Sequence, residues 1–199
     1  MELHTHFEQI HAAMAGMTSA PVRFDGVLYR ACTPAYANAR DLLTGEGASQ
    51  SGGRWNAPGF AVVYLAQSFE GAIAETLGVA AHYGFDPATR LPMTLVAVDA
   101  HITKALDLTD ASVRQALGFT LRQLNNCPWR DENAAGREAL PQAVGRAAQT
   151  LGFQGILVLS SLKRTLRNLN VFPANLGGTG SLKIRSADKL PPPPAPGVI

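Results

Sequence analysis

The sequence predicts an α+β fold, a compact mixed sheet domain with flanking helices, and three observations carry that expectation. Segments of strand character and segments of helical period are mixed along the chain without strict alternation, which disfavours a doubly wound parallel sheet. No Gly-x-Gly-x-x-Gly run opens a helix after a strand, so a Rossmann site has no support. The chain has 199 residues, 46% of them hydrophobic, and shows no internal repeat, which fits one domain with a sizeable core.

The elements follow in order. Phe7, Ile10 and Met14 recur at helical spacing, so the segment from Glu2 to Met14 reads as a short helix. Residues 1–20 are expected to form a helical extension ahead of a domain over 21–189. His4, His6 and His11 lie in that extension, but neighbours at i and i+2 fall on different sides of a helix, and no metal site is expected. Val22 to Cys32 reads as a strand through Val27, Leu28 and Tyr29. Thr44 to Gly53, rich in Gly and Ser, reads as a loop. Phe60 to Ala66 is short and apolar enough for a buried strand. Ser68 caps a helix running to about Tyr83, with Glu70 in its first turn, where the macrodipole favours negative charge. Leu95–Asp99 and Ala105–Leu108 read as two strands, and Ala111 to Asn125 as one or two short helices. Ala134 to Leu151 is an Ala-rich helix with a break or restart at Pro141. Gln154–Ser160, Asn168–Phe172 and Leu182–Ile184 read as strands. Residues 190–199 form a proline-rich tail, extended or disordered.

Charge and cysteine usage exclude several classes. A net charge of +2 is not by itself a nucleic-acid footprint, and no direct nucleic-acid binding is expected. Beyond Ser160, Lys163, Arg164, Arg167, Lys183, Arg185 and Lys189 face one acid, Asp188. That excess is either a field attractive to phosphates or an acidic partner, or an ordinary solvated surface. Cys32 and Cys127 are far apart, without metal-ligand spacing, so neither a disulfide scaffold nor a bound metal is expected. The N-terminus lacks a basic stretch followed by an apolar run, and no segment approaches the roughly 18 apolar residues of a membrane span. A cytoplasmic, membrane-independent protein is the expectation.

The least ordinary run is Gly52-Gly53-Arg54-Trp55-Asn56. Paired glycines let backbone approach a ligand closely, and successive N–H groups in such a loop form an anion nest. Arg54 adds a planar fork matched to phosphate oxygens. Trp55 either stacks on a base or packs in the core. Asn56 either reads a polar edge or ties the loop down. Further on, with about 100° per residue, Phe69, Ile73, Leu77 and Ala80 form the buried stripe of the helix after Ser68, and Glu75 falls roughly 120° from its centre. A carboxylate there is half-desolvated yet within reach of a cleft, or is an ordinary solvated flank residue. Arg30, at the end of an apolar strand, reaches a ligand phosphate or snorkels. His82 and His101 read as structural or surface residues.

Together these runs resemble the RES domain, a family named for its recurring Arg, Glu and Ser. The resemblance rests on Leu28-Tyr29-Arg30, on Gly52-Gly53-Arg54-Trp55-Asn56-x-Pro58-Gly59, and on Val63-Tyr64-x-Ala66-x-Ser68-x-x-x-Ala72-x-x-Glu75. It continues in Gly155-Ile156-x-x-x-Ser160 followed by Asn168-Leu169, with Trp129 before a helix, and so spans Val27 to Phe172. The family usually has Pro before its serine, where this chain has Leu159, and Ser161 competes with Ser160 for the role. The resemblance implies an ADP-ribosyltransferase-like fold with a cleft that takes NAD as substrate rather than as a bound cofactor. It implies a toxin that destroys NAD by phosphorolysis, with inorganic phosphate as co-substrate, or by hydrolysis. ADP-ribosyl transfer to a macromolecule and a non-catalytic binding module are the alternatives. It implies neutralisation by an Xre-type antitoxin in a larger oligomer. By the same resemblance, Arg54, Glu75 and Ser160 are the expected catalytic residues. Arg30, Gly53, Trp55, Asn56, Tyr64 and Asn168 are the expected substrate-binding residues.

Overall fold

A computed structural model describes residues 1–18, 20–82, 84, 86–163 and 165–192. The helices are α1 (Phe7–Ala15), α2 (Glu46–Ser51), α3 (Phe69–His82), α4 (Ala111–Ala116), α5 (Leu121–Asn125), α6 (Trp129–Ala134) and α7 (Leu140–Thr150). The strands are β1 (Val22–Cys32), β2 (Val63–Ala66), β3 (Thr94–Asp107), β4 (Gly155–Leu159), β5 (Arg167–Val171) and β6 (Ser181–Ile184). This is the expected α+β domain, a mixed sheet flanked by helices. Residues 193–199, most of the proline-rich tail, and Arg164 lie outside the described residues.

Among the described residues the sheet order is β1-β2-β5-β4-β3-β6, and β1 also pairs with β3 along most of its length. Backbone pairing therefore runs from β1 through β2, β5, β4 and β3 and returns to β1. Only β3 and β4 run parallel; the other pairs are antiparallel. Leu28, Val63, Leu65, Val98, Ile102 and Leu169 belong to one core packed between the strands. Trp55, Ile156, Val158 and Phe172 join Met14, Val144 and Ala147 in a second core, beneath α1 and α7.

Three elements differ from the sequence reading, each for a local reason. The two strands expected at 95–108 are one, β3, because burial alternates without interruption through Val96, Val98, Ala100 and Ile102 while polar His101 and Thr103 point away. The expected loop at 44–53 contains α2, set between Gly45 (φ +73°) and Gly52 (φ +71°) and supported by a Gln50–Glu46 hydrogen bond of 3.1 Å. The helix expected at 134–151 starts only at Leu140, as α7, after α6 has ended at Ala134, and the restart falls at the expected Pro141, in the first turn of α7, where its missing N–H costs nothing.

The packing of α3 corrects the expected stripe. Phe69 is 48% exposed and packs edge-on against Tyr29. Gly71 and Ala72 are buried instead, and Thr76 donates from Oγ1 to the Ala31 carbonyl at 3.3 Å. A Cβ at Gly71 would lie 3.4 Å from the Ala66 Cβ, and one at Gly78 would lie 2.9 Å from Leu162 Cδ1. Gly71 thus lets α3 settle low on β2, Gly78 makes room for Leu162 of the β4–β5 loop, and the packed face runs through Ala72 to Glu75.

Candidate active site

Glu75 descends from α3 onto the junction where β4 ends and β5 begins. Its Oε1 accepts from Ser160 Oγ at 2.6 Å and from Asn168 Nδ2 at 2.8 Å. Bonds to an ionised carboxylate are short and strong, and two on one oxygen fix the side chain. Ser160 is 1% exposed and is itself fixed, because its hydroxyl accepts from the Leu162 amide at 3.1 Å and its own amide donates to the Leu166 carbonyl. Ser161 faces solvent. Of the two serines, Ser160 is the one whose hydroxyl meets Glu75.

These residues line a small cleft of about 70 Å³ together with Arg54, Trp55, Tyr64, Val158, Leu159, Ser161 and Asn170. Ligand pockets commonly measure roughly 300–1,000 Å³, so this cleft is small. A larger cavity of about 330 Å³ lies elsewhere, between the N-terminal segment and residues 127–140, and includes neither Glu75 nor Ser160.

The wall opposite Glu75 is built from the glycine loop. Arg54 Nη1 donates to the carbonyls of Leu124 (3.1 Å) and Cys127 (3.3 Å). Burial pulls its pKa down, while Cys127 and Glu75 act against that shift. Tyr64 donates from its hydroxyl to Asn56 Oδ1 at 2.7 Å and accepts from the Trp55 amide at 3.0 Å. Burial pushes the phenol well above its ordinary range, so it stays neutral. A Cβ at Gly53 would run into the Tyr64 hydroxyl, which explains glycine there. Asn56 is fully buried, its amide donating to the carbonyls of Ala48 (2.7 Å) and Phe60 (2.8 Å). Of the two roles open to Asn56, the loop tie is the one its partners occupy. Trp55 is 4% exposed and packs in the helix-side core while lining the cleft.

Arg30 stands apart. It is not among the residues lining the cleft, and its buried Nη1 has no hydrogen-bond partner among the described residues. Burial lowers its pKa. Of the C-terminal basic residues, Arg185 is held by Asp99 at 2.6 Å.

Two residues of the site were missed in the sequence. Asn170 is 1% exposed, lines the cleft, and has neither amide atom paired among the described residues. It sits two residues after Asn168 on β5, hence on the same face, and that spacing was the available signal. Gln142 of α7 reaches under the loop, donating from Nε2 to the carbonyls of Gly53 (2.9 Å) and Asn56 (3.1 Å). Its only signal was a glutamine among the buried residues of an Ala-rich helix.

Cleft, glycine loop and fold together define a RES-type protein, and the RES domain model matches residues 27–190. The chain belongs to the RES domain family. Among curated relatives, the NAD(+) phosphorylase MbcT of Mycobacterium tuberculosis is 34% identical over 122 residues, 60% of this chain and 61% of that protein. The protein of the same name from Mycobacterium bovis matches to the same extent. The match thus spans about three-fifths of the length of these relatives. A solved structure, that of the M. tuberculosis MbcT–MbcA toxin–antitoxin complex, is similar with a TM-score of 0.63 and 26% identity, over 90% of this chain and 88% of that one.

Proposed function

We propose that the protein is an NAD-degrading toxin of a toxin–antitoxin pair, cleaving the nicotinamide–ribose bond by phosphorolysis. The observation that carries the reading is the fixed Glu75 carboxylate, held by Ser160 and Asn168 at the floor of a cleft walled by Arg54 and Tyr64. The names of the similar proteins favour phosphate over water as nucleophile.

In this reading the bond between ribose C1′ and the pyridinium nitrogen breaks, and its electron pair stays with the nitrogen. Neutral nicotinamide leaves without a general acid, because it departs from a cation. The ribose passes through an oxocarbenium-like state, as in glycoside cleavage. Glu75 stabilises that positive charge, and the two bonds on Oε1 leave its other oxygen to meet the sugar. A phosphate oxygen then bonds to that same anomeric carbon, giving ADP-ribose with a phosphate ester in place of nicotinamide. Arg54 orients the phosphate or pyrophosphate, and Tyr64 and Trp55 wall the ring. The unpaired Nη1 of Arg30 supports a second anion contact outside the cleft. Gly53 and Asn56 act by keeping the loop in place. The partner is an Xre-type antitoxin that covers the cleft, and the setting is the cytoplasm, where NAD is abundant. In this reading neither a permanently bound cofactor nor direct nucleic-acid binding has a part. Among the described residues no helix is long and apolar enough to cross a membrane.

The test is purified protein with NAD, with and without inorganic phosphate, the products resolved by chromatography. Phosphate-dependent loss of NAD with formation of the phosphate ester is expected, and Glu75→Gln should lose roughly a hundredfold or more in rate. Free ADP-ribose irrespective of phosphate would mean hydrolysis, and label from NAD fixed on protein or nucleic acid would mean transfer. NAD left intact in every arm would end the enzymatic reading.

A further inference from the structure

We infer that Asn170 and Asn168 together form a receptor for a primary carboxamide and thereby select the amide of nicotinamide over the acid of nicotinate. The inference rests on the NAD reading above and names the group that its cleft recognises. Buried polar atoms are nearly always paired, and a buried side-chain amide with both ends unpaired is rare enough to require a reason. Asn170 is such a residue: it is 1% exposed, and neither Nδ2 nor Oδ1 has a partner among the described residues. Its backbone is locked in mid-sheet, in register with Tyr64 of β2 and Ile156 of β4, so the side chain has little freedom to seek a partner elsewhere.

Asn168 supplies the third atom. Its orientation follows from chemistry, because the Glu75 carboxylate only accepts and the amide nitrogen must face it. That leaves Asn168 Oδ1 buried and without a donor. Both residues line the same small cleft. The unmet inventory is therefore two acceptors, Asn168 Oδ1 and Asn170 Oδ1, and one amino donor, Asn170 Nδ2. A primary carboxamide offers the complement, two N–H donors and one carbonyl acceptor. A carboxylate offers acceptors alone and would set its charge against two carbonyl oxygens. The receptor lies beside Glu75, which places a ring bearing the carboxamide against the carboxylate that faces the ribose.

The test compares NAD with nicotinic acid adenine dinucleotide as substrates, and nicotinamide with nicotinate as ligands in an NMR titration. The wild type should prefer NAD by roughly a hundredfold or more, as expected where a site hydrogen-bonds the distinguishing group. Asn170→Leu, which has the same branched heavy-atom skeleton as Asn without its polar atoms, should lower kcat/KM for NAD and bring the two substrates within roughly tenfold of each other. A purely structural role would lower both substrates alike and preserve the ratio, which would overturn the inference. So would a wild type that uses both equally. Should Asn170→Leu not fold, Asn170→Ala, which removes both amide atoms without adding bulk or charge, takes its place with the same expectations. A wild type inert towards NAD would sink the phosphorylase reading, and the titration then decides this inference separately. Binding of nicotinamide but not nicotinate, lost in the variant, upholds it. Equal binding of the two, or binding of neither, overturns it.

Discussion

Gly53→Ala tests how the glycine loop is braced. The added Cβ would strike the Tyr64 hydroxyl, and it would lie 2.8 Å from Asn56 Oδ1 and 2.9 Å from Tyr64 Cζ. The ring cannot simply retreat, because its hydroxyl is held by Asn56 at 2.7 Å and by the Trp55 amide at 3.0 Å. Overpacking of this kind costs about 1–3 kcal/mol, and losing two hydrogen bonds adds about 1 kcal/mol for each. Together these give about 3–5 kcal/mol. For a chain of this size each kcal/mol moves Tm by roughly 2–4 °C, so scanning calorimetry should record a fall of roughly 6–20 °C. The double variant Gly53→Ala, Tyr64→Phe removes the nearest of the colliding atoms and frees the ring to shift. It should be less destabilised than the two single changes imply, by at least about 1 kcal/mol. Strict additivity, or a Gly53→Ala protein melting within about 2 °C of wild type, would refute the claim that Tyr64 braces the loop.

Three further outcomes are expected. Ser160→Ala removes a charge-assisted bond worth about 1.5–3 kcal/mol, so kcat/KM for NAD should fall roughly ten- to hundredfold, while Ser161→Ala stays within about twofold of wild type; steady-state kinetics on both variants would expose the reverse ranking. Gln142→Leu removes two hydrogen bonds to the carbonyls of Gly53 and Asn56, which keep the bonds they accept from each other's amides, and should cost about 1–3 kcal/mol in urea denaturation, and an unchanged midpoint would remove Gln142 as the support of the loop. Tyr64 is an acid whose folded pKa is raised above its ordinary 10.0, so its stability contribution is fully present below that value. Above it the unfolded chain sheds the proton first and stability falls, a decline that Tyr64→Phe should lessen in melts taken between roughly pH 9 and 11.

The fold was legible wherever period and punctuation agreed. β1 was placed at its observed ends because Val27, Leu28 and Tyr29 stand between clear breaks. β3 was split in reading because His101 and Thr103 interrupt the apolar tally, although they occupy the outward positions that alternation reserves for polar residues. On α3 the largest apolar side chains drew the stripe towards Phe69, whereas close packing is made by what is small, Gly71, Ala72 and Gly78. The motif residues Arg54, Tyr64, Glu75, Ser160 and Asn168 could be named in sequence because each is chemically distinctive. Their pairing could not, since the hydrogen bonds from Ser160 and Asn168 to Glu75 join positions 85 and 93 residues apart. Asn170 and Gln142 escaped because an amide carries no charge signature, and its significance appears only when its partners, or their absence, can be seen.

That long separation has a bearing on biosynthesis. During translation Arg54, Tyr64 and Glu75 leave the ribosome well ahead of Ser160 and Asn168. Until the β4–β5 turn has emerged, Glu75 lacks both donors that orient it. A growing chain, or one cut short before residue 160, therefore carries half of the site without its anchor. The anchor of Glu75 is complete only once β5 has paired with β4 and β2.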